Sequence, residues 1–233
     1  MPKLRLEITK GEEIRYISHL DYARTIERAI RRAKLPAAYS EGFNPHLKMA
    51  FASALAVGVT SQAEYLDVEL MEQGEAAAAV IERLALELPA GIRIKQAKYL
   101  TKPGPALMAV VNLATYKILV PLLTDADMAV VAESARLFNI AEEVLYTKES
   151  PKGKRQINIK QYLFEDAKVV QLENGLEIFL SIKITPTGSV KPGEVLAALV
   201  AMFDLPIAKN SALIDRTGLY IADQLARVSP IDV

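Results

Sequence analysis

Two neighbouring stretches, Lys3-Leu-Arg-Leu-Glu-Ile-Thr-Lys10 and Ser18-His-Leu-Asp-Tyr-Ala-Arg-Thr-Ile-Glu-Arg-Ala-Ile-Arg-Arg-Ala-Lys34, contain the change of period that decides the fold. In the first, Leu4, Leu6 and Ile8 alternate with Lys3, Arg5 and Glu7, the period of two expected of a half-buried strand. In the second, Leu20, Ala23, Ile26, Ile30 and Ala33 recur every three to four residues, which predicts an amphipathic helix. Ser18 and Asp21 form the S-x-x-D version of a capping box at its start, and Pro36 stops it.

Working outward, 47–57 and 63–71 read as extended, joined through 58–62. The second helix is expected over 72–88, with Ala77, Val80, Ile81, Leu84 and Leu88 as its stripe and Pro89 to Gly91 as its end. A strand over 92–100 completes βαββαβ, the ferredoxin-like order in which two crossover helices cover one face of a four-stranded antiparallel sheet. Thr101-Lys-Pro-Gly-Pro105 punctuates the middle as a linker. The element order then repeats: a strand over 115–123, a helix to Phe138 capped by Thr124 with Asp127, extended pieces at 143–148 and 156–163 around Pro151-Lys-Gly153, a hairpin around Asn174-Gly175, a helix from Pro192 and a last strand over 213–221. The fold expectation is α+β: tandem ferredoxin-like units with antiparallel sheets, residues 1–102 and 106–233, the second with an extra hairpin.

The 233 residues are 51% hydrophobic, enough for a packed core, and contain no cysteine. That excludes a disulfide, a thiolate zinc site, a cysteine-held iron–sulfur cluster and a cysteine nucleophile. With 28 basic and 28 acidic side chains there is no global field to draw nucleic acid or an anionic membrane, so any polyanion site is local. Residues 1–10 do not form a signal-peptide core, and no apolar run approaches the roughly 18 residues of a spanning helix, so a cytoplasmic protein without membrane contact is expected.

Both histidines fall in the first half, in Arg15-Tyr-Ile-Ser-His-Leu-Asp21 and in Tyr39-Ser-Glu-Gly-Phe-Asn-Pro-His46. Imidazole titrates near neutrality, so His19 and His46 could act as base and acid if the fold brings them together, with Lys48 stabilising developing charge. The alternative is one loop histidine and one at a helix start. His19-x-Asp21 with His46 also imitates a two-His-one-carboxylate metal set. Residues two apart on a helix point in nearly opposite directions, however, and Asp21 is better placed for capping, so no metal is expected. Ser40, Gly42, Phe43 and Asn44 build a stiff loop suited to a phosphate or a nucleotide edge, or form an ordered turn. The G-x-x-x-x-G-K and G-x-G-x-x-G fingerprints are absent, and no cofactor is expected. Arg24, Arg28 and Arg32 form a ladder on the first helix. With Arg15, Arg31 and Lys34 against Asp21 and Glu27 they leave a local excess of four positive charges, either a solvated face or a phosphate-contacting surface. Lys148, Lys152, Lys154, Arg155 and Lys160 against Glu149 give a second excess of the same size.

These strings resemble a known family: the bacterial domain of unknown function linked to radical SAM proteins, found alone or fused behind a B12-binding radical SAM protein. The match rests on Arg15 to Asp21, on Ala38-Tyr-Ser-Glu-Gly-Phe-Asn-Pro-His46, and on Phe51-Ala-Ser-Ala-Leu55 with Gly58 and Glu64-Tyr-Leu-Asp67. It is weaker at Ile157-Asn-Ile-Lys-Gln-Tyr-Leu163 and Thr187-Gly-Ser-Val-Lys-Pro192. The family pattern usually has Pro at Leu47 and Asp at Asn158. The resemblance implies a partner, a separate radical SAM protein that supplies the cluster this chain cannot hold.

Three functions are therefore expected in competition. The first is an accessory RNA-binding or substrate-presenting protein for a radical SAM enzyme in RNA or ribosome-related modification, with His19, Asn44, His46 and Lys48 lining the site, Arg15 and Tyr16 at its edge, Tyr39 beside it and the basic helix holding phosphates. The second is a metal-independent RNA-processing enzyme using His19 and His46. The third is a small-molecule binding protein. The polar side of the first strand is expected to border a cleft near the 40–48 loop.

Overall fold

The computed structural model describes every residue except Lys102, Pro103, Pro151, Lys152 and Gln224, so parts of the expected linker, of the 151–153 turn and of the second basic patch lie outside the described residues. The chain is α+β, mostly antiparallel, with five α-helices among the described residues. It divides into two units, Met1–Asn112 with Arg216–Val233, and Leu113–Asp215.

Unit 1 contains β1 (Lys3–Lys10), α1 (His19–Arg32), β2 (Met49–Phe51), β3 (Val59–Glu69), α2 (Ala77–Ala85), β4 (Ile94–Leu100) and the four-residue α3 (Leu107–Val110). β1 lies between β3 and β4, antiparallel to both, and β2 pairs antiparallel with β3. Leu4, Leu6 and Ile8 of β1 and Leu66, Val68 and Leu70 around β3 face α1 and α2 and are almost wholly buried, as alternation requires. Helix α1 begins as its cap predicts: the Ser18 hydroxyl accepts from the Asp21 N–H at 3.1 Å and donates to the Asp21 carboxylate at 2.7 Å. Its buried stripe is Tyr22, Ile26, Ala29 and Ile30, whereas Leu20, expected in the stripe, is exposed. β2 and α2 are shorter than their patterns suggest.

The polar side of β1 is not open. Arg5 forms a bidentate pair with Asp67 (2.7 and 3.0 Å) and donates to the backbone oxygens of Pro230 and Val233, while Tyr65 bonds Ser229 at 3.0 Å. A short 3-10 turn, Pro230–Asp232, thus covers that face, with Pro230 and Ile231 buried. The stretch from Arg216 onward, expected in the second unit, belongs to the first for this reason.

Unit 2 contains β5 (Leu113–Pro121), α4 (Met128–Ile140), β6 (Leu145–Ser150), β7 (Gly153–Asn158), β8 (Lys168–Leu172), β9 (Gly175–Lys183) and α5 (Pro192–Phe203). β10 (Leu213–Ala222) leads from this unit back into the first, where it lies next to β3 and is followed by β11 (Arg227–Val228). β9 is flanked antiparallel by β5 and β8, and β6–β7 form a separate two-stranded ribbon. Asp127 alone caps α4, accepting from the Ala129 N–H, and Pro192 opens α5. Phe138 of α4 meets Phe203 of α5 edge to face at 5.5 Å.

Candidate functional site

Three segments of unit 1 converge on His19, the first residue of α1. Its ring stands edge-on to Phe51 of β2, centroids 5.0 Å apart, and Tyr22 tilts against the same phenyl ring at 5.9 Å. Within electrostatic reach of the imidazole are Glu64, Arg216 and Lys10. Arg216 donates to both oxygens of Glu64 (2.9 and 3.1 Å), to the Ser53 hydroxyl (2.9 Å) and to the Ala54 carbonyl (3.3 Å). Lys10 donates to the carbonyls of Arg15 (2.8 Å) and Ile17 (3.1 Å), the segment that leads into α1. Lys10, Glu64 and Arg216 are all buried. Lys10 continues the Leu4, Leu6, Ile8 side of β1, and Glu64 precedes Leu66 and Val68 on the same side of β3, so the charges lie on the helix-covered face.

Burial pushes the His19 pKa below its ordinary value; Glu64 opposes that shift, while Arg216 and Lys10 add to it. His19 is therefore mostly neutral at pH 7. Burial likewise lowers Lys10 against the pull of Glu64, and raises Tyr22 well above the usual phenol range, helped by Glu64. The Nδ1 atom of His19 is buried with no hydrogen-bond partner among the described residues. A neutral imidazole fixed by an aromatic ring, with one unpartnered nitrogen beside an ion pair, is chemically able to accept or deliver a proton.

His46 does not share this site. The β2–β3 register runs Met49 opposite Val68 and Phe51 opposite Leu66, and Lys48 continues it, its carbonyl accepting from the Glu69 N–H at 2.9 Å. His46 lies beyond Lys48, at the Glu69 end of β3, whereas His19 contacts Phe51 and senses Glu64 near the other end. The expected His19–His46 acid–base pair, with Lys48 beside it, is therefore corrected: extended backbone spaces Glu64 from Glu69 by roughly 16 Å. Arg15 is likewise not at a binding edge; it is buried and donates to Glu12 and to the Gly58 carbonyl. Tyr16 is exposed.

The 40–46 loop forms a second surface. The Ser40 N–H donates to the His46 carbonyl (2.7 Å), the Ser40 hydroxyl accepts from the His46 N–H (2.9 Å), and Tyr39 bridges Leu47, which is buried. Gly42 sits at φ +113°, a conformation that a side chain would strain. Phe43 at the tip is fully exposed, and Asn44 and His46 are exposed. Arg31 of α1 is raised in pKa by Glu27 foremost and also by the Tyr39 hydroxyl, so the loop's base meets the basic helix. Arg24 pairs with Asp21 at 3.7 Å, Arg31 with Glu27 and Arg32 with Glu87 at 2.9 Å, which trims the basic excess; Arg28 is exposed. In the second patch, Lys148 pairs with Glu194 at 3.0 Å, and Lys160 donates to the carbonyls of Phe138 and Asn139, a structural role. Asn158 accepts from the Val144 and Lys160 N–H groups through its amide oxygen, capping the 3-10 turn that follows.

Sequence reasoning passed over Lys10, Ser53 and Arg216. A charge where alternation calls for an apolar side chain was the available signal for Lys10 and Glu64; Arg216 has no local signal.

No helix among the described residues is long and apolar enough to cross a membrane. A family model described as "Uncharacterized protein conserved in bacteria (DUF2344)" matches residues 3–192. No curated protein matches the chain. Among solved structures, one chain of "Crystal Structure of a Cbf5-Nop10-Gar1 Complex" is similar with TM-score 0.53 at 11% identity over 94% of this chain and 48% of that one, so this chain spans about half its length; the likeness is one of fold. A chain of the encapsulated DyP-type peroxidase from Mycobacterium smegmatis aligns at 11% identity over 88% of this chain and 84% of that one with TM-score 0.21, too low to carry an argument.

Proposed function

The chain belongs to this DUF2344 family of bacterial proteins, and we propose that it is an accessory RNA-binding protein that presents substrate to a separate radical SAM enzyme. The observation that carries the RNA half is a fully exposed Phe43 on a backbone-pinned loop whose base contacts the basic helix through Tyr39 and Arg31. An exposed ring accepts an unstacked base, and the arginines beside it hold the phosphates, the combination by which single strands are bound with little sequence preference. The ferredoxin-like reading of both units, and the fold likeness to a chain from a Cbf5-Nop10-Gar1 complex, are compatible with that role. The radical SAM half rests on the sequence resemblance and on the absence of cysteine.

Filter binding of bulk tRNA and ribosomal RNA across salt concentrations tests this. Retention should fall steeply as salt rises, because each neutralised phosphate releases a counterion. Phe43→Ala should weaken binding by the roughly 1–3 kcal/mol of one stacked base. Absence of salt-dependent retention removes the RNA half, and failure to co-purify with the radical SAM protein of the same bacterium at micromolar concentration removes the other. A second reading, an acid–base enzyme, is favoured by the unpartnered Nδ1 of His19 beside Glu64 and Lys10. It no longer includes His46, and His19→Ala abolishing a turnover that His46→Ala spares would identify it.

A further inference from the structure

The side of β1 and β3 opposite Leu4, Leu6 and Ile8 carries a segment of the chain itself. Arg5 stands opposite Asp67 and Glu7 opposite Tyr65 across the β1–β3 ladder, so these four side chains share one face, and all four are buried. On that face lies Ser229-Pro-Ile-Asp-Val233. Pro230 and Ile231 are buried, Arg5 Nη1 donates to the backbone oxygens of Pro230 (2.7 Å) and Val233 (3.2 Å), and the Ser229 and Tyr65 hydroxyls bond at 3.0 Å. The segment holds its own shape. Pro230 opens a 3-10 turn in which the Asp232 N–H donates to the Ser229 carbonyl at 3.0 Å and the Ser229 hydroxyl accepts from the Ile231 N–H at 3.4 Å.

Two features make this cover removable. Charged side chains are seldom buried unless paired, and these keep their pairs without the segment: Arg5 retains both bonds to Asp67 (2.7 and 3.0 Å), and Glu7 retains Lys95 at 2.6 Å. The face beneath therefore wets at small cost, unlike the Leu4, Leu6, Ile8 side. The attachment is also slender. Leu225 to Val228, which lead into the segment, are exposed, and β11 pairs with β10 through two positions, Val228 opposite Ile221 and Arg227 opposite Ala222. Segments with few buried contacts open locally, ahead of the core.

We propose that this face is a peptide-recognition site which the chain's own 229–233 segment occupies in cis, and that a partner protein displaces it with a segment of the same chemistry: a hydroxyl residue followed by proline and a branched apolar residue. The occupant seated on the face supplies the pattern, and the charges beneath it exclude the main rival. Asp67 already neutralises Arg5, so the remaining guanidinium hydrogens meet neutral backbone carbonyls, whereas a phosphate would meet the carboxylates of Asp67 and Glu7. Tyr65 reads the hydroxyl, and the Pro-Ile pair fills the apolar contact. Proline bends the segment before it binds, which lowers the ordering cost. This surface is separate from the 40–46 loop and does not depend on the RNA reading.

The test uses the full chain and the labelled synthetic peptide acetyl-Val-Ser-Pro-Ile-Asp-Val, with binding read by fluorescence anisotropy. The tethered segment competes at an effective concentration on the order of millimolar, so the parent should bind the peptide weakly. Ile231→Asp puts a charge where the apolar side chain is buried and should free the site, raising affinity for the peptide roughly tenfold or more. The same chain should bind a peptide with alanine in place of serine more weakly, and Tyr65→Phe should erase that preference. A folded Ile231→Asp chain that binds the peptide no better than the parent, or that binds the serine and alanine peptides equally, overturns the proposal. Should Ile231→Asp fail to fold, amide exchange in the parent decides: the Asp232 N–H should exchange through local opening, at a rate insensitive to low denaturant and ahead of the β1–β3 ladder. Exchange of Asp232 together with that ladder overturns the proposal. Oligouridylate binding strengthened by Ile231→Asp would assign the face to nucleic acid, and concentration-dependent dimers of the parent that Ile231→Asp abolishes would assign it to a second copy of this chain; either result overturns the proposal as well.

Discussion

His19 and His46 begin as equivalents in the sequence, each the only histidine of a motif-like string, yet the two regions they occupy obey opposite physics. Around the half-buried His19 the charged groups are buried and each has a fixed partner: Arg216 has Glu64 and Ser53, Lys10 two carbonyls, and the imidazole packs on Phe51. Around His46 the backbone is pinned and the side chains project into solvent, with Phe43 bare at the tip. A site of the first kind can shift proton equilibria but costs desolvation. A surface of the second kind can bind and release a large flexible ligand without disturbing the core. The contrast separates a buried charged cluster from an exposed, backbone-pinned surface within one unit, and stability is the most direct way to challenge it.

The largest expected effect is at the ion pair. Glu64→Ala strands the buried Arg216 guanidinium, and breaking a buried pair from one side costs about 3–5 kcal/mol. Thermal unfolding should show it as a fall in Tm of many degrees. A loss under about 1 kcal/mol would mean that Arg216 finds water or another acceptor, and the distinction between the two regions would blur. The next effect is in pH dependence. Because the folded state lowers the His19 pKa, the unfolded chain binds the proton more readily. The stability tied to His19 is therefore complete above the unfolded value of about 6.5 and is lost as pH falls from there through the folded pKa. Melting temperature measured across that range should decline toward acid in the parent, and His19→Gln should flatten that part of the curve. An identical decline in His19→Gln would transfer the effect to other groups.

Much of the scaffold was legible because it depends on local period: Leu4, Leu6 and Ile8 against Lys3, Arg5 and Glu7, the Ser18 cap, the Asn174-Gly175 hairpin and Pro192 at a helix start all act within a few residues. The His19 surroundings were less so, since their polar members are buried in defiance of the alternation rule. Arg5 read as part of a wet face and is instead covered by the 230–232 turn, whose Pro230 lies 225 residues away in sequence. Arg216 belongs to unit 1 only because the chain returns there, a long-range event no window of sequence contains. The 40–48 loop closes through Ser40 and His46 with Gly42 at positive φ, features that act within a few residues. Its distance from His19 follows from β2 register, which hydrophobic pattern alone left open.

The smallest expected effect tests the recognition side. Lys48 sits 3.9 Å from Glu69 at the edge of the loop, a partly exposed pair of the kind that contributes little. Lys48→Ala should therefore change stability by no more than about 0.5 kcal/mol, a Tm shift of a degree or two. If the loop and the basic helix bind single-stranded RNA, the same substitution should weaken binding across sequences and make the slope of log affinity against log salt shallower by about 0.7, the loss of one phosphate contact. A stability loss of several kcal/mol with the salt slope unchanged would instead make Lys48 a structural brace between β2 and β3, and the loop an ordered turn that happens to be exposed.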